Sequence, residues 1–187
     1  MDKDLAGQVV DIAQRVVASG AISANGHGNV SIRVPEAQEM YFTAGPSLRN
    51  HPASAVVRLG LDGTLLEGEL PPIQGAVVAM HTAMYADHPD VGCVLHTHSP
   101  YATAYAVARR PIGCWVEALA MFGLADGVPV AGYGKRGSAE GWPASGRPSS
   151  RAFLPCCSPT TACLSSTARP SSPSWSAAWS RRRHRRA

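Results

Sequence analysis

Two histidines one residue apart, His96 and His98, are the sharpest chemical signal in the chain. They follow the apolar run Val91 to Leu95, which reads as a buried strand. Residues i and i+2 of a strand share a face, so both imidazoles can converge on one point. A divalent metal needs such a pair, with nitrogen at roughly 2.0–2.1 Å for zinc. The carboxyl end of a strand is also where α/β sheets tend to hold ligands. A pair of structural histidines is the alternative. Upstream lie Gly28-Asn29 and Thr43-Ala44-Gly45. Glycine permits close backbone approach, and amide or hydroxyl donors suit an anion; an ordinary turn is the alternative for Gly28-Asn29. His81 and Tyr85 stand one helical turn apart and can either face a cavity or pack. Gln74 precedes them and cannot exchange a proton near neutral pH.

The elements that position these residues follow from patterning. Leu5, Val9, Val10, Ile12, Ala13, Val16 and Val17 recur at helical spacing, and Gly20 supplies a stop. Val30 to Val34 and Met40 to Thr43 read as short strands. Val56 to Leu59 and Thr64 to Leu66 flank Asp62-Gly63, a strong hairpin signal. Gln74 to Tyr85 reads as a helix that ends at Asp87-His88-Pro89. Ser99-Pro100 fits an N-cap followed by proline, opening a helix to about Ala108. An apolar stretch runs from Trp115 to Leu124, and a short strand is expected near Val128 to Ala131. Interspersed strands and helices give an α/β class with helices covering a sheet.

The 187 residues carry a net charge of +4, which on its face invites a nucleic-acid partner. The charge is unevenly placed. Residues 1–140 hold nine Lys/Arg against thirteen Asp/Glu, whereas 141–187 hold eight Arg and no acid. The basic signal belongs to the second segment alone, so no nucleic-acid partner is expected. No run approaches the roughly 18 apolar residues of a membrane span. The start Met1-Asp2-Lys3-Asp4 lacks the pattern of a signal peptide, and a cytoplasmic protein is expected. The five cysteines have no zinc or disulfide spacing.

The stretch from His81 through His96-Thr97-His98-Ser99-Pro100 to Ala104 closely resembles the class II aldolase/adducin family, which includes sugar-phosphate aldolases and epimerases. Gly28-Asn29-Val30-Ser31-Ile32-Arg33 resembles the family's glycine–asparagine–serine turn, and Phe42-Thr43-Ala44-Gly45 its second substrate loop. Leu61-Asp62-Gly63 and Pro111-Ile112 fall in the family's order, so the matches span about residues 5–140. The resemblance implies a three-layer sandwich, its central sheet mainly antiparallel or mixed and flanked by helices. It assigns His96 and His98 to a divalent metal, zinc first, with Fe(II) or Mn as alternatives. It places Gly28, Asn29, Thr43 and Gly45 against a small-molecule substrate. It also implies a homo-oligomer, commonly a tetramer.

Two departures matter. The family's Ser-Ser-Glu segment, whose glutamate is the acid/base, is replaced by Pro72-Ile73-Gln74, and no carboxylate lies between Glu69 and Asp87. The catalytic residue is then left open, with His81, Tyr85 and Gln74 as candidates. Second, the resemblance is expected to end near Glu140. The Asn-His-Gly turn that would bring a third metal histidine is absent, as is the strand before it. Residues 141–187 contain eleven Ser, six Pro, eight Arg, three Cys and three Trp. Read in a shifted frame, Cys157 to Ser165 is compatible with Leu-Ala-Asn-His-Gly-Val-Leu-Val. The expectation is a family domain over 1–140 and an out-of-frame, disordered tail over 141–187. The function expected is a metal-dependent lyase acting on a small hydroxy-carbonyl compound, sugar phosphates included, through a stabilised enediolate. The alternatives are a non-haem iron oxygenase of the aminocoumarin-biosynthesis type and a non-catalytic, adducin-like or defective fragment.

Overall fold

Helix α1 (Lys3–Ala18) puts Leu5, Val9 and Ala13 on one face at a spacing of four, and all three are buried. Its opposite face carries the exposed Asp11–Arg15 pair at 2.8 Å, a surface contact worth little. Gly20 ends the segment at φ +71°, a conformation that glycine adopts without steric cost. The chain then enters strand β1 (Gly28–Arg33), followed by β2 (Glu39–Thr43), β3 (Val56–Gly60) and β4 (Leu65–Glu67). The computed structural model describes residues 3–130, together with the backbone of residues 156–158 and 161–166.

Neighbouring strands pair antiparallel throughout the described sheet, whose order is β4-β3-β2-β1-β5-β7-β6. Alternation along the strands sorts side chains onto two faces. Val30, Ile32, Tyr41 and Val56 meet α1 on one face. Met40, Phe42, Val57, Leu59 and Val94 meet α2 (Gly75–Asp87) on the other. Helices thus cover both faces, the expected three-layer arrangement, and the described sheet is antiparallel. The β3–β4 hairpin forms where Asp62-Gly63 predicts it, with Gly63 at φ +89° and the Asp62 carboxylate accepting from the Thr64 amide at 2.9 Å.

Helix α2 is apolar on most sides, yet its buried set, Val77, Val78, His81, Met84 and Tyr85, follows one helical face. A 3-10 turn over Pro72–Gln74 precedes it, so Gln74 caps the helix rather than lying within it. Strand β5 (Cys93–Thr97) starts two residues later than the apolar run suggests, because its register is set by pairing with β1. Gly28 and Asn29, expected in a turn, are the first two residues of β1 and pair with Thr97 and His96. Ser99 stands extended before α3 (Pro100–Val107) with Pro at the first helical position, but its side chain makes no capping bond. The Trp115–Leu124 stretch yields only α4 (Glu117–Met121), and the expected strand near Val128 is reduced to isolated bridge residues, Val128 pairing with Ile112.

Thr161–Ser166 forms strand β7 against β5, and Cys156–Ser158 forms β6 against β7. A strand therefore lies where none was expected. Without β7, the side of β5 away from β1 would be an open edge, and its backbone groups accept a partner strand whatever its side chains. Within the shifted-frame segment, Pro159 and Thr160 lie outside the described residues, as does His184.

Candidate functional site

Antiparallel pairing sets Asn29 of β1 directly across from His96 of β5, so the two side chains share the α2-facing side of the sheet. Both are buried. His98 follows the end of β5, and its backbone N–H donates to the His27 carbonyl at 3.2 Å, extending the ladder by one rung. The His96 and His98 rings lie with centroids 5.0 Å apart and planes inclined by 52°. Two imidazoles on one tetrahedral zinc have centroids about 5 Å apart, from nitrogen–metal bonds of about 2.0–2.1 Å. The spacing therefore fits two ligands of one metal ion. Among the described residues, no group of three His, Cys, Asp or Glu side chains could hold a metal. Any further protein ligand must come from elsewhere.

The surrounding residues converge on this pair. The Asn29 side-chain amide donates to the Thr43 carbonyl at 2.9 Å and to Gln74 Oε1 at 3.4 Å. Its Oδ1 lies 3.4 Å from His96 Nδ1. Gln74 Nε2 donates to the Gly45 carbonyl at 3.1 Å and the Ala44 carbonyl at 3.4 Å. Thr43 Oγ1 accepts the Val30 backbone N–H at 2.9 Å. Thus Gly28, Asn29, Thr43, Gly45, Gln74 and His96 come together as one cluster, with His98 beside it. Gly28 has no room for a side chain, since a Cβ there would collide with the His96 carbonyl.

His81 and Tyr85 lie next to the cluster but face the core. Ser31 Oγ links them, 2.7 Å from His81 Nδ1 and 2.8 Å from the Tyr85 hydroxyl. Burial, with a smaller contribution from His96, lowers the His81 pKa to about 3. His81 is therefore neutral at physiological pH, as a buried imidazole with no countercharge must be. Burial drives the Tyr85 phenol far above its ordinary value. Burial also pushes the Cys93 thiol up to about 12, so it offers no thiolate.

Two histidines in this region escape sequence reasoning. His27 is exposed, and its ring stands edge-on to His98 at 5.9 Å between centroids. Its place between Gly26 and Gly28 was the available signal. His51 is buried behind Gly45, where a Cβ would meet its ring at 2.7 Å. Burial lowers its pKa, and its Nε2 has no hydrogen-bond partner among the described residues. The polar context Asn50-His51-Pro52 gives no hint of that burial.

Residues 7–163 match the family model described as Class II Aldolase and Adducin N-terminal domain. The match continues past residue 140, where the resemblance was expected to end. L-fuculose phosphate aldolase of Escherichia coli O6:H1 is 29% identical over 136 residues, covering 73% of this chain and 60% of that protein. The 5-methylthioribulose-1-phosphate/5-deoxyribulose-1-phosphate aldolase of Rhodospirillum rubrum is 28% identical over 132 residues, covering 71% and 57%. The chain thus spans about 60% of the length of these curated relatives. Among solved structures, an L-fuculose 1-phosphate aldolase superposes with a TM-score of 0.71 at 23% identity, over 89% of this chain and 76% of that one. No helix among the described residues is long and apolar enough to cross a membrane.

Proposed function

Because the chain belongs to the class II aldolase and adducin family, we propose that it is a divalent-metal-dependent lyase acting on a small hydroxy-carbonyl substrate of the sugar-phosphate class. The observation that carries this is the His96–His98 pair, 5.0 Å apart at the carboxyl end of β5, with both loops named by the resemblance gathered beside it. His96 and His98 would hold the metal, zinc first. When bound, such an ion supplies Lewis-acid polarisation of a carbonyl or enediolate oxygen.

The chain's own residues orient the site. The Thr43–Gly45 segment is fixed from below by Asn29 and Gln74, which ties its carbonyls inward. Gly45 makes room for the buried His51 ring, which a Cβ there would meet at 2.7 Å. Gln74 is spent on hydrogen bonds and is neither acid nor base near neutral pH, so proton transfer falls to other groups. His27 is an exposed imidazole whose ring stands edge-on to His98. Soluble expression in the cytoplasm and a homo-oligomer of the family type accompany this proposal.

The test is turnover of ketose 1-phosphates of five and six carbons by the zinc-loaded protein, followed by aldehyde release. Zinc-dependent cleavage abolished by His96→Ala is expected. Turnover that requires Fe(II) and oxygen and ignores zinc would favour the oxygenase alternative and reject the lyase.

A further inference from the structure

The hydrogen bonds around His96 fix the orientation of every amide in the cluster. Asn29 Nδ2 faces two oxygens, the Thr43 carbonyl at 2.9 Å and Gln74 Oε1 at 3.4 Å. Only an NH2 group satisfies both, so Asn29 presents Oδ1 to His96. Gln74 is fixed the same way, because its Nε2 faces the Ala44 and Gly45 carbonyls. Backbone carbonyls cannot change role, so the orientation propagates one way, from the Thr43–Gly45 segment through Gln74 and Asn29 to the imidazole. An amide oxygen only accepts; His96 must therefore carry its proton on Nδ1 and its lone pair on Nε2.

We propose that Gln74 and Asn29 are positioning residues, an amide relay that sets His96 in the Nδ1–H tautomer and presents Nε2 for metal binding. The relay couples the substrate loop to the metal ligand, so the loop's backbone position and the ligand's tautomer are one property. It also gives Gln74 a role that the glutamate of the family pattern could not fill, since a carboxylate cannot donate to the Ala44 and Gly45 carbonyls. The proposal rests on His96 being a metal ligand, and the experiment separates the two claims.

The full-length protein is titrated with zinc alone against a chromophoric chelator, and the His96 tautomer is read in the metal-free protein by long-range proton–nitrogen correlation. Wild type shows Nδ1–H. Asn29→Leu removes the acceptor, loses that tautomer preference and weakens zinc binding about tenfold or more, the usual cost of removing a partner of a metal-bound histidine. Asn29→Asp keeps an acceptor towards His96 and retains the Nδ1–H tautomer, although it cannot donate to the Thr43 carbonyl or Gln74 Oε1. Gln74→Met moves both tautomer and zinc affinity in the direction of Asn29→Leu; if it moves neither, Gln74 is no part of the relay. If His96→Ala removes zinc binding while Asn29→Leu leaves affinity and tautomer unchanged, the relay is overturned and the metal assignment stands. If His96→Ala binds zinc like wild type, the metal assignment falls and the relay with it. Should Asn29→Leu fail to fold, an Nε2–H tautomer of His96 in wild type overturns the relay by itself.

Discussion

Replacing Gln74 with glutamate restores the family's carboxylate and nearly preserves shape, yet it should destabilise this chain. Gln74 Nε2 donates to two backbone carbonyls, at 3.1 and 3.4 Å, inside a buried cluster. Glutamate turns that donor into a second oxygen facing both carbonyls. Two hydrogen bonds are lost, each worth about 1 kcal/mol net. The two acceptors and the carboxylate are left desolvated and mutually repelled, which adds about 1–3 kcal/mol. The expected loss is about 3–5 kcal/mol at pH 7.5. Burial raises the carboxyl pKa in the folded state above its unfolded value of about 4.3. Below that value both states are protonated and no ionisation penalty applies. The penalty grows as pH rises through it and levels off above the folded-state pKa. A protonated carboxyl also regains one donor. Urea unfolding of Gln74→Glu and wild type, compared at pH 5 and pH 7.5, measures this. A difference that is larger at pH 7.5 is expected. A variant as stable as wild type at pH 7.5 would refute the orientation assigned to Gln74, and with it the network around Asn29.

Three further outcomes follow. Tyr85→Phe deletes the hydroxyl bonded to Ser31 at 2.8 Å and should cost about 1–2 kcal/mol in chemical denaturation with the zinc affinity unchanged. His81 is neutral and buried, with a pKa lowered to about 3, whereas the unfolded chain protonates it near 6.5. Stability from this group is therefore full above about pH 6.5 and lost as pH falls towards 3, by up to about 1.4 kcal/mol per pH unit. His81→Gln should flatten the stability profile in that window. Finally, the Ser-, Pro- and Arg-rich composition of residues 141–187 is proposed to arise from a shifted reading frame. The nucleotide sequence across codons 135–187 should spell an Asn-His-Gly turn one frame away, and codons that cannot do so dismiss the idea.

How much of this was legible beforehand divides along physical lines. The His96–His98 pair was visible because strand periodicity and metal chemistry both act locally. Helices α1 and α2 were visible because four-residue spacing of apolar side chains survives in any context. The pairing of Asn29 with His96 was not, since register between strands 67 residues apart is a property of the assembled sheet. Gln74 looked like a loss, a carboxylate gone missing. Its structural role emerged only with the positions of the Ala44 and Gly45 carbonyls, which carry no side-chain signal. Nothing in the sequence marked His51 as buried, because a polar neighbourhood in sequence need not be an exposed one in space. Strand β7 was missed for a related reason. Composition argued against structure there, while the demand of an open sheet edge for backbone partners argued for it.

The account stands most directly on whether His96 and His98 bind metal together. Isothermal titration of the metal-stripped, full-length protein with zinc should show one site per chain in wild type. His96→Ala and His98→Ala should each weaken that site by about tenfold or more, with the far-ultraviolet spectrum unchanged. Zinc binding of equal strength in wild type and in both variants would contradict the central claim, whatever the family to which the fold belongs.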